Sequence, residues 1–226
     1  MIKAIIVDIE GTTTSVSFVF DVLFPYFRNN INLLKQRINE PEIKTILDQV
    51  KAIILEEENL QIDSQQAIDK LYQWSVEDRK IAPLKSVQGI IWQEGYKNGQ
   101  LKGHIYDDVP KNLQKWYSQN IKLGVYSSGS SSAQKLLFKY SIFGDLSSLF
   151  QWNFDLKIGH KKDMTSYQKI SEIIEEKSQN ILFLSDIEDE LDAAKKAGFQ
   201  TIQLLREGTK TTHKHQTVAN FHDIKI

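Results

Sequence analysis

The sequence predicts an α/β protein: a doubly wound, parallel, five-stranded Rossmann-like sheet with a helical cap domain inserted after its first strand. Three observations carry this. Short apolar runs rich in β-branched residues, beginning with Ile2-Lys3-Ala4-Ile5-Ile6-Val7, alternate with amphipathic helical stretches through the second half of the chain. Residues 15–104 contain no convincing strand and are far too long for a βα connection, which usually takes about 2–6 residues. The ends of the apolar runs carry polar groups rather than plain turns, with Asp8 and Glu10 after the first, Ser127 and Ser128 after the second, and Asp186 after the fourth.

Each element has its own local reason. Gly11 closes the first strand and lets the backbone turn, and Thr12, Thr13 and Thr14 offer hydroxyls and amides to an anion. Phe18, Val19, Val22, Leu23 and Tyr26 then recur at helical spacing, and helical character resumes at 31–37 after Asn29-Asn30. Residues 42–58 put Ile43, Ile46, Leu47, Val50, Ile53 and Ile54 on one face. Asp63-Ser64 caps a helix that turns Ala67, Ile68, Leu71, Tyr72 and Trp74 inward, and Pro83 opens another over 84–96 that ends near Gly99.

The α/β alternation resumes after Val109-Pro110. A helix over 111–118 buries Leu113 and Trp116, and a strand over 122–126 ends in Ser127-Ser128-Gly129-Ser130. Ser131 and Gln134 have the spacing of a capping box for a helix over 133–140. A third strand over 149–156, a helix over 165–177, a fourth strand over 180–184, a helix over 188–197 ended by Gly198 and a fifth strand over 201–205 complete the core. The division expected is residues 1–14 with 105–226 as the α/β core and 15–104 as the cap. His213, His215 and His222, set among Thr, Lys and Gln, are expected to form a solvated tail rather than a metal cluster.

Composition narrows the function. A chain of 226 residues, 41% apolar and 25% charged, suits a soluble globular protein. A net charge of −1 gives no electrostatic footprint for nucleic acid or an anionic membrane, and no apolar stretch approaches the roughly 20 residues of a membrane span. Cysteine is absent, which excludes disulfides and thiolate metal sites and fits a reducing cytoplasm. The first residues lead straight into a strand without the pattern of a secretory leader, so a cytoplasmic location is expected. No heptad or bare strand edge stands out, and a monomer is the default expectation.

In a parallel sheet the carboxyl ends of all strands share one edge, so Asp8, Glu10, Ser127, Ser128 and Asp186 converge there, with Lys161 between strands three and four. Three acids together repel unless a cation lies among them, and oxygen ligands without cysteine point to Mg²⁺. The Ser128 and Gly129 amides at a helix start make an anion site, and Lys161 adds a point charge to the same phosphate. Taken singly, each residue has an ordinary explanation: Asp186 as an N-cap, Ser127-Ser128 as capping residues, Lys161 with Lys162 as a solvated pair. Their joint order at the strand ends is what argues for a site.

That ordered set resembles the haloacid dehalogenase superfamily. Asp8-Ile9-Glu10-Gly11-Thr12-Thr13-Thr14-Ser15 followed by Asp21-Val22-Leu23-Phe24-Pro25-Tyr26 is similar to its acireductone synthase (enolase-phosphatase) branch, where the usual Asp-x-Asp pair becomes Asp-x-Glu. Leu84-Lys85, Gln88-Gly89, Trp92 and Gly95-Tyr96 resemble that branch's cap signature, while Val125 to Ser130, Ile158 to Lys161 and Phe183 to Asp186 resemble its core motifs. Phe20 departs from the pattern, standing where the resemblance would put a lysine. The resemblance implies an Mg²⁺-dependent enzyme, one ion per subunit held by Asp8, Glu10 and Asp186, that converts the small phosphorylated diketone 2,3-diketo-5-methylthiopentyl 1-phosphate to acireductone and phosphate in methionine salvage. It implies Asp8 as nucleophile, Glu10 as general acid and base with its carbonyl toward the metal, and Ser127, Ser128, Gly129 and Lys161 around the phosphoryl group. A capped phosphatase of another small phosphomonoester is the alternative reading, and a catalytically idle metabolite-binding module the reading from a different class.

Overall fold

The computed structural model describes residues 1–226, which divide into two compact units, Met1–Phe18 with Lys102–Ile226, and Val19–Leu101. In the first unit β1 (Ala4–Val7) lies inside a fully parallel sheet. Its neighbours are β2 (Lys122–Tyr126) and β4 (Ile181–Ser185), with β3 (Trp152–Phe154) beyond β2 and β5 (Gln200–Leu204) beyond β4. Intervening helices are α5 (Val109–Ser118), α6 (Ser131–Lys139), α7 (Met164–Ile174) and α8 (Glu188–Lys196). One sheet face buries Ala4, Ile6, Tyr126, Ile181 and Phe183 against Tyr167, Ile170 and Ile174 of α7 and Leu191, Ala193 and Ala194 of α8. The alternating residues Ile5, Val7, Leu123, Val125, Leu182 and Leu184 are buried too, which is why these strands read as continuous apolar runs.

Register fixes where the chemistry lies. Val7 pairs with Val125 on one side and Leu184 on the other. The next residues along the three strands are therefore Asp8, Tyr126 and Ser185, and after them Ile9, Ser127 and Asp186. Residues separated by more than 100 positions in the chain reach one sheet edge at nearly one level.

The sheet has six strands rather than five. β6 (Gln216–Val218) adds parallel to β5, Ile202 opposite Gln216 through Leu204 opposite Val218. Three residues with a single apolar member give no periodic signal, so the strand is invisible to pattern reading. The expected solvated histidine tail changes accordingly. His215 is buried, its Nδ1 2.9 Å from Thr201 Oγ1 and its Nε2 3.1 Å from Asp192 Oδ1, whereas His213 and His222 are exposed.

Two local details also differ. The cap of α6 is Ser130, whose Oγ accepts from the Ala133 N–H, because the chain is still extended at Ser130 and helical from Ser131. Gln134 instead donates to the Gly129 and Phe154 carbonyls, tying the helix start to the end of β3. The third strand shrinks to three residues, Trp152–Phe154, and Ser147–Leu149 before it winds into a 3-10 turn.

The second unit is wholly helical. A π-helical turn, Phe18–Leu23, leads into α1 (Phe24–Asn30), a 3-10 segment Ile31–Gln36, then α2 (Pro41–Glu58), α3 (Ser64–Val76) and α4 (Ala82–Lys97). It has its own apolar core, built from Phe27, Leu34, Leu47, Val50, Leu71, Trp74, Val87, Ile91 and their neighbours. Asp63 forms a complete capping box with Gln66. Gly95 is required by packing: a Cβ there would lie 2.7 Å from the Tyr26 ring, so α1 and α4 approach backbone to ring. Trp92 is half-buried and donates its indole N–H to the Leu23 carbonyl, and Phe20 sets its ring edge-on to Phe24.

Candidate active site

The turn after β1 is stitched by its own backbone. The Ile9 carbonyl accepts from the amides of Thr12, Thr13 and Thr14, and the Gly11 amide donates to the Thr14 carbonyl. Gly11 takes a φ of +75°, and a Cβ there would lie 2.4 Å from Asp186 Oδ2, so only glycine lets the turn approach that carboxylate. The threonine hydroxyls do not face outward as the sequence suggested. All three residues are buried; the Thr13 hydroxyl donates to the Asp8 and Ile9 carbonyls, and Thr14 Oγ1 meets His104 Nδ1 at 2.9 Å. The Thr13 and Thr14 hydroxyls brace the turn, while the buried Thr12 hydroxyl has no hydrogen-bond partner.

Asp8 sits at the mouth of β1 with its amide donating to the Leu184 carbonyl. Its carboxylate meets Lys161 Nζ at 2.5 Å, and the same ammonium meets Glu190 Oε2 at 2.6 Å. Lys161 is only 8% exposed, a position that a lysine occupies only when paired. Its backbone is fixed by Tyr167, whose hydroxyl donates to the Lys161 carbonyl at 2.7 Å. Burial works against the ammonium, yet Asp8 and Glu190 outweigh it and hold its pKa above the ordinary lysine value. Burial pushes the Asp8 carboxyl well up; Lys161 pulls it back, while Glu190, Glu10 and Asp186 add to the rise.

The other strand ends contribute as register demands. Ser127 is buried, its Oγ accepting from the Gly129 amide at 3.1 Å and donating to Glu10 Oε2 at 3.4 Å. Ser128 is exposed on the same turn. Asp186 follows β4, its backbone carbonyl held by the Gln203 amide group, and its buried Oδ1 has no hydrogen-bond partner. Its pKa is pushed up to about 6 by burial and by Glu190 and Glu10, although its own backbone amide and Lys161 pull the other way. The N-cap role is not taken by Asp186, because the capping position of α8 is Ile187, whose amide donates to Ser185 Oγ, and the helix begins at Glu188.

Four carboxylates, those of Asp8, Glu10, Asp186 and Glu190, thus act on one another electrostatically with Lys161 as the ammonium among them. Sequence reading missed Glu190. The signal was its place in the first turn of α8, four residues after Asp186, but the run Glu188-Asp189-Glu190 reads equally well as acids favouring the helix dipole. An unpartnered buried carboxylate oxygen, surplus negative charge and oxygen-only donors fit a hard divalent cation. Mg²⁺ is such an ion, taking one or two carboxylates and completing its shell from other oxygens.

The family model of haloacid dehalogenase-like hydrolases matches residues 2–198. Enolase-phosphatase E1 of Picosynechococcus sp. is 55% identical over 221 residues, covering 98% of this chain and 97% of that one. The proteins of the same name from Pseudomonas aeruginosa and Aquifex aeolicus are 47% and 41% identical, with essentially full coverage of both chains. Among solved structures, the UTR4 protein of Saccharomyces cerevisiae superposes with a TM-score of 0.83 at 32% identity, covering 99% of this chain and all of that one. The L-2-haloacid dehalogenase of Xanthobacter autotrophicus shares the fold at a TM-score of 0.53 and 16% identity, covering 92% of this chain and 80% of that one. The chain belongs to the haloacid dehalogenase-like hydrolases and, within them, to the enolase-phosphatases.

Proposed function

We propose that this chain is a bifunctional enolase-phosphatase of methionine salvage, converting 2,3-diketo-5-methylthiopentyl 1-phosphate to acireductone and phosphate. The observation that carries the chemistry is Asp8 at the carboxyl end of β1, paired with a buried lysine and flanked by Asp186 with an unpartnered oxygen. The relatives at 41–55% identity bear the enolase-phosphatase name over their full length, which favours this reading over a capped phosphatase of another phosphomonoester.

In the proposed reaction the Asp8 carboxylate attacks phosphorus, forming an acyl phosphate as the bond from phosphorus to the substrate's C1 oxygen breaks. Burial disfavours the ionised nucleophile, and Lys161 is the group that acts against it by lowering the Asp8 pKa. The Glu10 carboxyl gives the leaving oxygen its proton, then takes one from the water that splits the acyl phosphate and restores Asp8. The Ser127 hydroxyl, the Ser128 and Gly129 amides and the Lys161 ammonium hold the phosphoryl oxygens. Mg²⁺, one per subunit, would be held by the Asp8 and Asp186 carboxylates and the Glu10 carbonyl, and when bound it neutralises phosphate and polarises the diketone oxygens. The helical unit 19–101 is the segment we assign as the cap domain. We place the enzyme in the cytoplasm as a monomer.

The test is incubation of the purified protein with the diketone phosphate, with and without Mg²⁺, following enediol absorbance and phosphate release together. Wild type is expected to give both signals only with Mg²⁺. Asp8→Asn is expected to lose phosphate release by roughly 10⁴- to 10⁶-fold, the scale seen when a covalent nucleophile is removed. Phosphate from generic monoesters with none from the diketone would overturn the assignment.

A further inference from the structure

The family model ends at residue 198, yet a side chain beyond it reaches the catalytic turn. Within the turn 9–14 the Ile9 and Thr14 carbonyls accept from the turn's own amides, whereas two others accept from outside it. The Thr13 carbonyl accepts from the Tyr106 amide at 3.0 Å. The Thr12 carbonyl accepts from Arg206, whose Nε and Nη2 reach it at 3.3 and 3.2 Å. Arg206 Nη2 also donates to Asp108 Oδ2 at 2.8 Å, and that same oxygen accepts the Phe221 amide at 2.6 Å. The guanidinium lies 4.1 Å from the Tyr106 ring centroid, and its Nη1 donates to the Ala219 carbonyl at 3.3 Å. The Arg206 side chain is 9% exposed and that of Asp108 12%, so this is a built contact rather than a surface pair.

We propose that Arg206 is a positioning residue: with Asp108, it clamps the Thr12 carbonyl and so fixes the turn that aims Asp8 and Glu10. The chain of contacts is short. Thr12 is followed by Thr13, whose hydroxyl holds the Asp8 carbonyl, and the Gly11–Thr14 bond closes the turn on which Glu10 stands. A planar guanidinium suits the place because one fork must serve a carbonyl and a carboxylate at once while stacking on a ring, which a lysine ammonium cannot do. Arg206 touches none of the residues assigned to the phosphoryl group, so the inference predicts loss of turnover without loss of substrate affinity. It rests on the assignment of Asp8 and Glu10 as the reacting groups.

The experiment compares wild type with Arg206→Met and Arg206→Lys by amide hydrogen exchange and by steady-state kinetics on the diketone phosphate and on a generic phosphomonoester. Exchange at Gly11 to Thr14 is expected to rise at least tenfold in Arg206→Met while that of β4 and β5 stays unchanged. kcat is expected to fall about 10- to 100-fold, the scale of a misaimed reacting group, with KM within twofold. Arg206→Lys should recover less than half of the lost kcat, having charge without the fork. Unchanged exchange at the turn would overturn the proposal, as would a kcat loss accompanied by faster exchange throughout the sheet. Should Arg206→Met not fold, Arg206→Lys carries the same two readouts. Wild type inactive on the diketone would instead count against the assigned reaction, and the exchange measurement would still decide the clamp.

Discussion

At the scale of single residues, the site depends on close approach more than on the acids themselves. Gly11 illustrates it. Its left-handed φ and the carboxylate 2.4 Å from an imagined Cβ are two independent demands for glycine. Gly11→Ala is therefore expected to cost about 1–3 kcal/mol in urea unfolding, from the backbone penalty together with the displacement of Asp186. Because Asp186 must move, activity should fall more than stability alone explains. A variant within about 0.5 kcal/mol of wild type and fully active would show that turn and carboxylate need not touch. Lys161 makes the same point with charge: an isolated buried lysine would shed its proton, and two carboxylates at 2.5 and 2.6 Å are what hold it charged.

At the scale of elements, His104 links the turn to the chain returning from the helical unit. Its Nδ1 accepts from the Ser15 amide at 3.1 Å, an obligate donor, so the ring is neutral there with its proton on Nε2. Burial lowers its pKa below the ordinary 6.5, more than Asp107 raises it. The sign follows: above pH 6.5 neither folded nor unfolded chain binds the proton, and nothing is lost. As pH falls from 6.5 toward the lower folded value, the unfolded chain takes the proton first and stability drops. His104→Asn should remove that component, so the difference in urea midpoint between pH 7.5 and pH 5.5 is expected to be smaller in the variant. Equal differences would mean that the ring is not held neutral. Neither this clasp nor the Arg206 clamp was legible in the sequence, because an isolated His or Arg carries no periodic or motif signal. The strand ends were legible for the opposite reason. A strand such as Ala4–Val7, buried on both faces, is a continuous apolar run, and where it stops the chemistry begins, so Asp8, Ser127 and Asp186 could be placed by counting. Glu190 was hidden among acids that also suit a helix start, and β6 was too short to announce itself.

At the scale of the whole molecule, every group assigned to the metal belongs to one compact unit, while the helical unit keeps a separate apolar core. Without a cation, the core unit carries carboxylates whose pKa values are raised by burial and by one another, which is stored repulsion. A ligand that binds only the folded state stabilises it by about 2.7 kcal/mol at 100 times its Kd. For a unit of roughly 150 residues that corresponds to a rise of about 5–10 °C in thermal midpoint. Mg²⁺ titration in a calorimeter is therefore expected to raise the transition of the core unit by this amount, and chelation to reverse it. Asp186→Asn should abolish most of the rise, since it removes the carboxylate whose Oδ1 has no partner within the protein. Amide exchange should slow in β1 and β4, whose ends carry Asp8 and Asp186, as Mg²⁺ is added. A midpoint unmoved by Mg²⁺ in wild type, or moved equally in Asp186→Asn, would mean that the clustered charge is balanced by Lys161 and by protons on the carboxylates rather than by a divalent ion.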